Sequence, residues 1–392
     1  MQSTSLDYTS ILVNTTAYAL EKRQNIFFKS FSQHRKYSIY YPIELILSYY
    51  TIVLIIVGTI CNTISFMVMN ARKLRSYTCM KILSVLSFID TLVLYQWNLN
   101  TFFKYNLSSP PNYEDLEELS LVFCRLISFL AFFSLQVSSW LLALVSFDRA
   151  MGVYSTCWTY QMNNPKKIYT LIILIIATIF VANTHLLFNN GFYSEQEEIS
   201  NIFSQNKKVV CYQSKNDKKY IFPKWETVHL FLYNALPFLI MLICNSLIIY
   251  NIKYARKVKS HSKHSSKRKR RMTLMLIVVT FSFMILTFPS VVVHTFYREF
   301  LSDKPYRRLV NLIVNNLVHT SHAINFFLYI FSAPNFRAEL THLIGEFINR
   351  FKKAESSGKK FRNGEKSEYF SEKTNAELFI TLKDKRKSVV LL

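Results

Sequence analysis

Glycine and proline are scarce in this chain, six and nine among 392 residues, so little interrupts its apolar blocks. The six cysteines follow neither a CxxC pattern nor a zinc-site spacing, which argues against a zinc module. No HExxH or GxSxG occurs, and the scattered histidines do not cluster by sequence, so a metalloprotease or a serine-hydrolase centre lacks its residues. The halves share no repeat, which counts against a secondary transporter. No charged n-region, h-region and cleavage site opens the chain, so we expect no cleaved signal peptide and assign targeting to the first apolar block. Acids are few: 24 Asp and Glu against 47 Lys and Arg give a net charge of +23. Such an excess suits a nucleic-acid binder. Here, however, the bases lie between apolar blocks and read as topology signals, so no nucleic-acid partner is expected.

What is abundant is apolar side chain: 51% hydrophobic, 16% aromatic. The stretch from Cys124 to Tyr154 is the axis of the pattern, with a lone Cys at one end and Asp148-Arg149 at the other. A run of this length spans a bilayer, and only a helix satisfies its backbone there. Similar blocks run at about Ile43–Asn70, Met80–Phe103, Lys167–Phe188, Glu226–Tyr250, Met272–Phe296 and Tyr306–Phe331. The fold expected is an all-α membrane protein, a bundle of seven transmembrane helices with a short amphipathic surface helix. The segments are an extracellular tail at 1–43, the bundle at 44–332, an amphipathic helix at 335–351 whose apolar residues follow a helical period, and a charged, disordered cytoplasmic tail at 352–392.

Seven spans put the termini on opposite sides of the plasma membrane. Arg72, Lys73 and Arg75 flank one short loop, and the acidic run Glu114, Asp115, Glu117 and Glu118 lies in the next. The positive-inside rule then places the N-terminus outside, together with the sequons at Asn14 and Asn106. Asp90 sits in the middle of the second block, where an acid is a functional candidate by default.

These landmarks together resemble the rhodopsin-like G-protein-coupled receptors, from about Ile46 to Phe347. The resemblance rests on Asn62, on Leu83-Ser84-Val85 to Asp90, on Cys124 and Asp148-Arg149, on Pro237, on Phe283 and Pro289, on Asn325 to Tyr329, and on Phe336-Arg337. The chain departs from the pattern at Cys61 (usually Gly), Ala150 (Tyr), Thr287 (Trp) and Phe326 (Pro), and span four lacks its usual Trp. It looks like a divergent member.

The resemblance implies roles. Cys124 and Cys211 would form a disulfide pinning the second outer loop over the bundle. Asp90, Ser138, Ser321 and Asn325 would converge at the bundle centre. Either a sodium ion, which the family places there, or a hydrogen-bond network around a protonated Asp90 would satisfy them; no other cofactor is expected. Asp148 would hold Arg149 at rest, and Arg149, Pro289, Asn325 and Tyr329 would take part in activation and G-protein coupling. The basic stretch from Lys253 to Arg271 suits contact with anionic lipid headgroups or with the G protein equally. Ser and Thr in the tail would accept phosphates and so recruit arrestin.

Ala131 stands where the family's amine receptors carry Asp, and His319 where opsins carry Lys, which argues against an amine or retinal ligand. By family analogy Asn100, Phe132, Gln136, Tyr212, His229, Tyr233, His294, Tyr297, Asn315 and His319 line an outer vestibule suited to an extracellular peptide. Acids near its rim (Glu114 to Glu118, Glu195, Glu197, Glu198 and Glu226) would draw a basic peptide by their field. The function expected is therefore a G-protein-coupled receptor and not an enzyme, closest to invertebrate neuropeptide receptors of the FMRFamide type. A chemosensory or orphan receptor for another small ligand, or a ligandless receptor-like scaffold, stands as the alternative.

Overall fold

The structure, a computed structural model, describes residues 39–108, 115–194, 209–258 and 263–350; within 254–272 only the backbone is described, apart from Arg271. Most of the expected tail at 1–43, the tail at 352–392 with its phosphate acceptors, Asn14, Glu114, Glu195, Glu197 and Glu198 lie outside the described residues.

The apolar blocks are helices: α1 (Tyr41–Met69), α2 (Thr78–Phe102), α3 (Leu121–Tyr154), α4 (Pro165–Asn183), α5 (Leu236–Val258), α6 (Lys263–Phe296), α7 (Arg307–Ala323) and α8 (Asn325–Ser332). Residues 334–350 are helical as well. Their starts follow from local chemistry. Pro42 sits in the first turn of α1, where a missing N–H is no loss. Ser120 caps α3 by accepting from the Phe123 N–H at 3.1 Å, and Asn164 caps α4 ahead of Pro165. At the far end of α1 both the backbone N–H and the side chain of Asn70 donate to the Phe66 carbonyl, at 3.2 and 2.9 Å, which holds the last turn closed.

Among the described residues, six helical stretches are long and apolar enough to cross a membrane: Tyr41–Met69, Thr78–Leu107, Leu121–Tyr154, Pro165–Asn189, Tyr220–Lys253 and Thr273–Phe296. The seventh expected span differs. It breaks at Ile324 into α7, 17 residues, and α8, eight residues. It is also polar, and the polarity has a place to go. Asn316, His319, Ser321, His322 and Asn325 are all buried, turned into the bundle rather than toward lipid. The lipid-facing sides are the exposed apolar ones, such as Ile56 and Ile60 on α1, Ile173 and Val181 on α4, and Leu239 and Ile243 on α5.

The helices close into a ring. α1 packs on α2, α2 on α3, α3 on α5, α6 on α7, and α7 returns to α1; α4 lies against α3. The closure between α1, α2 and α7 depends on Gly58. A Cβ there would lie 2.3 Å from Leu94 Cδ1 and 3.2 Å from Ala323 Cβ, so any larger residue forces Leu94 to shift and crowds Ala323.

Proline shapes the entrance to α5. An irregular segment, Tyr220–Trp225, whose backbone is extended at Phe222 (φ −111°, ψ 117°), and a π-helical one, Phe231–Ala235, flank an α-helical turn at Glu226–Leu230. The second ends just before Pro237, which has no N–H to give back to the preceding turn. The carbonyls of Leu232 and Tyr233 are instead taken by α3: Trp140 Nε1 donates to the first at 3.0 Å and Ser139 Oγ to the second at 2.7 Å. The missing N–H at Pro237 is thus accommodated by a π-bulge and answered by a neighbouring helix. α6 runs through Pro289 as a single helix.

Candidate functional site

At one end of α3, Cys124 is bonded to Cys211, 87 residues further on, with the two Cα atoms 5.7 Å apart. The bridge ties down a small antiparallel ribbon, β1 (Phe192–Tyr193) and β2 (Val209–Val210). Gly191 precedes the ribbon in a left-handed conformation, φ 76°, and a Cβ there would meet Cys124 Sγ at 2.7 Å. The other cysteines among the described residues, Cys61, Cys79, Cys157 and Cys244, are free.

The expected vestibule residues divide into groups. Phe132, Gln136, His229, Tyr233 and His319 are buried deep in the bundle. Gln136 joins two helices to α3: its Nε2 lies 3.0 Å from His229 Nδ1, and its Oε1 accepts from Asn183 Nδ2 at 2.7 Å. His229 stacks on Tyr233 and meets Phe132 edge-on, while His319 stacks on Trp97. His294 hydrogen-bonds to Asn315. Tyr297 is exposed at the end of α6. Asn100 and Tyr212 belong to a different cluster, around Glu117. Asn183 and Trp97 escaped the sequence reading as members of this region, because a single Asn or Trp carries no signal of which way it faces.

Two of the rim acids are not simply solvated. Glu117 is 2% exposed. Glu226 pairs with Arg298, whose guanidinium also lies over the Phe222 ring at 4.7 Å, and His294 Nδ1 is 3.9 Å from the same carboxylate. This ties the start of the fifth span to the end of the sixth. The sequon residue Asn106 also turns inward, donating to Ser48 Oγ at 3.0 Å and to the Phe102 carbonyl at 3.1 Å. A glycan on that nitrogen replaces one of its two N–H donors and so requires one of these bonds to be released.

At the bundle centre Asp90 is fully buried. Ser138 Oγ donates to its Oδ1 at 2.7 Å and Asn325 Nδ2 to its Oδ2 at 2.7 Å, so these two meet it as expected. Ser321 does not: its hydroxyl donates to the Val318 carbonyl at 2.6 Å. The place belongs to His322, one residue on and about 100° round the helix. Its Nδ1 lies 2.8 Å from Asp90 Oδ1. Asn62 reaches the same point from α1, donating to the His322 carbonyl at 3.3 Å. A sodium ion needs oxygen lone pairs turned toward it. Here both carboxylate oxygens are covered by N–H and O–H donors, and the nearest new ligand is an imidazole nitrogen. The donor set does not fit a sodium ion.

At the other end of α3, Arg149 donates through Nε and a terminal guanidinium nitrogen to a single oxygen, Oδ2, of its neighbour Asp148. The second oxygen of Asp148 accepts from Trp158 Nε1 at 3.2 Å. Trp158 lies on a short helix, Thr156–Met162, whose cap is Ser155. A Trp in a loop gave no hint of this, since only the fold brings it back over Asp148. Tyr329 is fully buried nearby in sequence to Asn325, packs on Phe336 with ring centroids 5.5 Å apart, and its hydroxyl has no hydrogen-bond partner among the described residues.

A polar-cored helical bundle, with a disulfide at one end of its third span and an Asp-Arg pair at the other, defines a class of heptahelical membrane receptors. Residues 62–329 match the family model of the 7 transmembrane receptor (rhodopsin family), which is more than half of the chain, and the protein belongs to that family. Similar curated proteins include cysteinyl leukotriene receptor 1 of Cavia porcellus, 24% identical over 228 residues, 56% of this chain and 62% of that one. The same receptor of Sus scrofa is 23% identical over 225 residues, again 56% and 62%. N-formyl peptide receptor 3 of Macaca mulatta is 23% identical over 250 residues, 58% and 65%. The chain thus spans less than two thirds of the length of these relatives.

Proposed function

We propose that this protein is a plasma-membrane receptor, N-terminus outside, that binds an extracellular peptide and passes the signal to a heterotrimeric G protein. The observation that carries the reading is α3 itself. One helix holds the disulfide-tethered loop at one end and the Asp148–Arg149–Trp158 cluster at the other. A shift at the outer end is therefore linked by a rigid element to the coupling end. Asp148 holds Arg149 at rest; separation of spans three and six frees the guanidinium for the G protein, with Pro289, Asn325 and Tyr329 moving alongside. Arrestin docking on a phosphorylated tail belongs to the same reading.

A peptide is favoured by the amides and imidazoles that crowd the bundle, Gln136, Asn183, His229 and His319, which match backbone and side-chain amides. One relative is named for a formyl peptide, and a neuropeptide of the FMRFamide type is the narrower form of the reading. The relatives named for a cysteinyl leukotriene support a second reading, a leukotriene-like ligand. The test is a screen of amidated peptides and leukotrienes on cells expressing the chain, read by calcium or cyclic AMP, with Arg149→Ala alongside. We expect a peptide response that Arg149→Ala abolishes. A response to leukotrienes alone moves the ligand class. A response untouched by Arg149→Ala ends the coupling scheme, and silence to both libraries favours the chemosensory, orphan or ligandless scaffold reading.

A further inference from the structure

Glu117 is the middle of the one-turn 3-10 helix Leu116–Glu118 and is 2% exposed. Its carboxyl is held from two directions. Asn100 of α2 donates its Nδ2 to Oε1 at 3.1 Å, while Asn100 Oδ1 accepts from the Leu116 N–H at 2.7 Å. Tyr212, next to the disulfide at Cys211 and in a left-handed conformation with φ 63°, hydrogen-bonds to the carboxyl through its hydroxyl. Tyr212 also packs on Phe222, the ring that lies under Arg298, the partner of Glu226. A single buried acid therefore joins the loop before α3, the disulfide loop and the start of the fifth span.

Among the described residues no cation sits against this carboxylate. The nearest base, Lys104 at the end of α2, pairs with Asp115 at 2.5 Å. On α3, Arg125 donates to the Asn190 carbonyl at 3.0 Å. The remaining charged neighbours, Asp115 and Glu118, are acids. A buried carboxylate without a counter-ion is costly, and the inexpensive state is the protonated one. Burial, helped by Asp115 and Glu118 and opposed by the Tyr212 hydroxyl and Lys104, raises the Glu117 carboxyl to about 7. Burial and the same contact push the Tyr212 phenol upward, so it stays a donor.

We propose that Glu117 is a proton-binding site that latches the loop before α3 to the disulfide loop, making the mouth of the receptor respond to proton concentration. Protonated, the carboxyl sits between Asn100 and Tyr212 without charge, and the latch is closed. Ionised, it carries a buried charge that draws it toward water against the hold of the Tyr212 hydroxyl, and the latch loosens, freeing Asn100 first and then Tyr212. That the protons are extracellular ones rests on the orientation proposed above; the latch itself does not.

The sign follows from linkage. A carboxyl whose folded value lies above its unfolded one binds its proton more tightly when folded. Stability falls as pH rises from the unfolded value, 4.5, through about 7, and is flat beyond. The test is the apparent melting temperature of the purified full-length protein in detergent between pH 5 and 9. We expect a fall of a few degrees through pH 7 in the wild type and its absence in Glu117→Gln. Tyr212→Phe keeps the acid but removes a bond that favours the charged form, so the midpoint moves to higher pH, an effect that lost packing alone does not produce. A wild-type profile flat through neutrality, or a midpoint unmoved by Tyr212→Phe, overturns the proposal. Melting needs neither ligand nor G protein, so its failure leaves the receptor reading standing, and failure of that reading leaves the latch.

Discussion

His322 Nδ1 lies 2.8 Å from Asp90 Oδ1 with both side chains about 1% exposed, so the acid at the bundle centre is met by an imidazole from α7. The pair joins α2 to α7, and Ser138 and Asn325 extend it to α3 and α8. Four segments thus converge on one carboxyl group. Because His322 fills the space beside Oδ1, the pair offers no opening for a monovalent cation. Exchanging sodium for choline chloride at equal ionic strength should leave the melting temperature of the purified wild type unchanged, whereas His322→Ser should gain a sodium-specific rise of a few degrees. His322→Ala should be destabilised by about 3 kcal/mol, since it strips a buried acid of a partner. Sodium stabilisation of the wild type would contradict the arrangement.

The carbonyls at the entrance to α5 give a second test. Ser139→Ala leaves the Tyr233 carbonyl without its side-chain donor, at a cost of about 1–2 kcal/mol. If the bulge exists because Pro237 lacks an N–H, Pro237→Ala makes the carbonyl less dependent on Ser139. The two substitutions should then couple by roughly 1 kcal/mol in a double-mutant cycle on chemical or thermal unfolding. Strict additivity would show that the serine and the proline act independently.

Six of the spans were legible in the sequence because length and apolarity suffice to identify a membrane helix, and the disulfide because the family resemblance pairs Cys124 with Cys211. Register inside a polar helix was not. Ser321 and His322 are adjacent, and their sequence gives no reason to prefer one for the interior; the break at Ile324 and the packing of α7 on α1 decide it. The same holds for Glu117, one acid in a run. Which of them turns inward depends on Asn100 and Tyr212, which lie 17 residues before it and 95 residues after it. Trp158 was silent for a like reason: its partner is ten residues back, and only the turn after α3 brings them together.

Gly58 tests how tightly the ring is closed. Alanine there collides with Leu94 and crowds Ala323, members of one buried cluster with Leu54. Because helices in a membrane associate chiefly through close packing, the cost should be about 1–3 kcal/mol, read as lower thermal stability in detergent. Leu94→Ala should recover part of it by removing the colliding methyl, while further loss in the double variant would place the strain elsewhere.

Gly191 combines two demands that no other residue type meets together. Its φ of 76° lies in the left-handed region, and the space its side chain would enter is taken by Cys124 Sγ at 2.7 Å and Leu121 Cδ1 at 3.0 Å. Gly191→Ala should therefore push the β1–β2 ribbon away from α3 and strain the bridge it carries. The loss should approach that of Cys211→Ser, about 2–5 kcal/mol for a native disulfide. The measurement is the yield of folded protein at the cell surface together with alkylation of Cys124 and Cys211 under non-reducing conditions. If the bridge forms normally in Gly191→Ala and yield is kept, the ribbon has room to move and the glycine is not what holds the loop against α3.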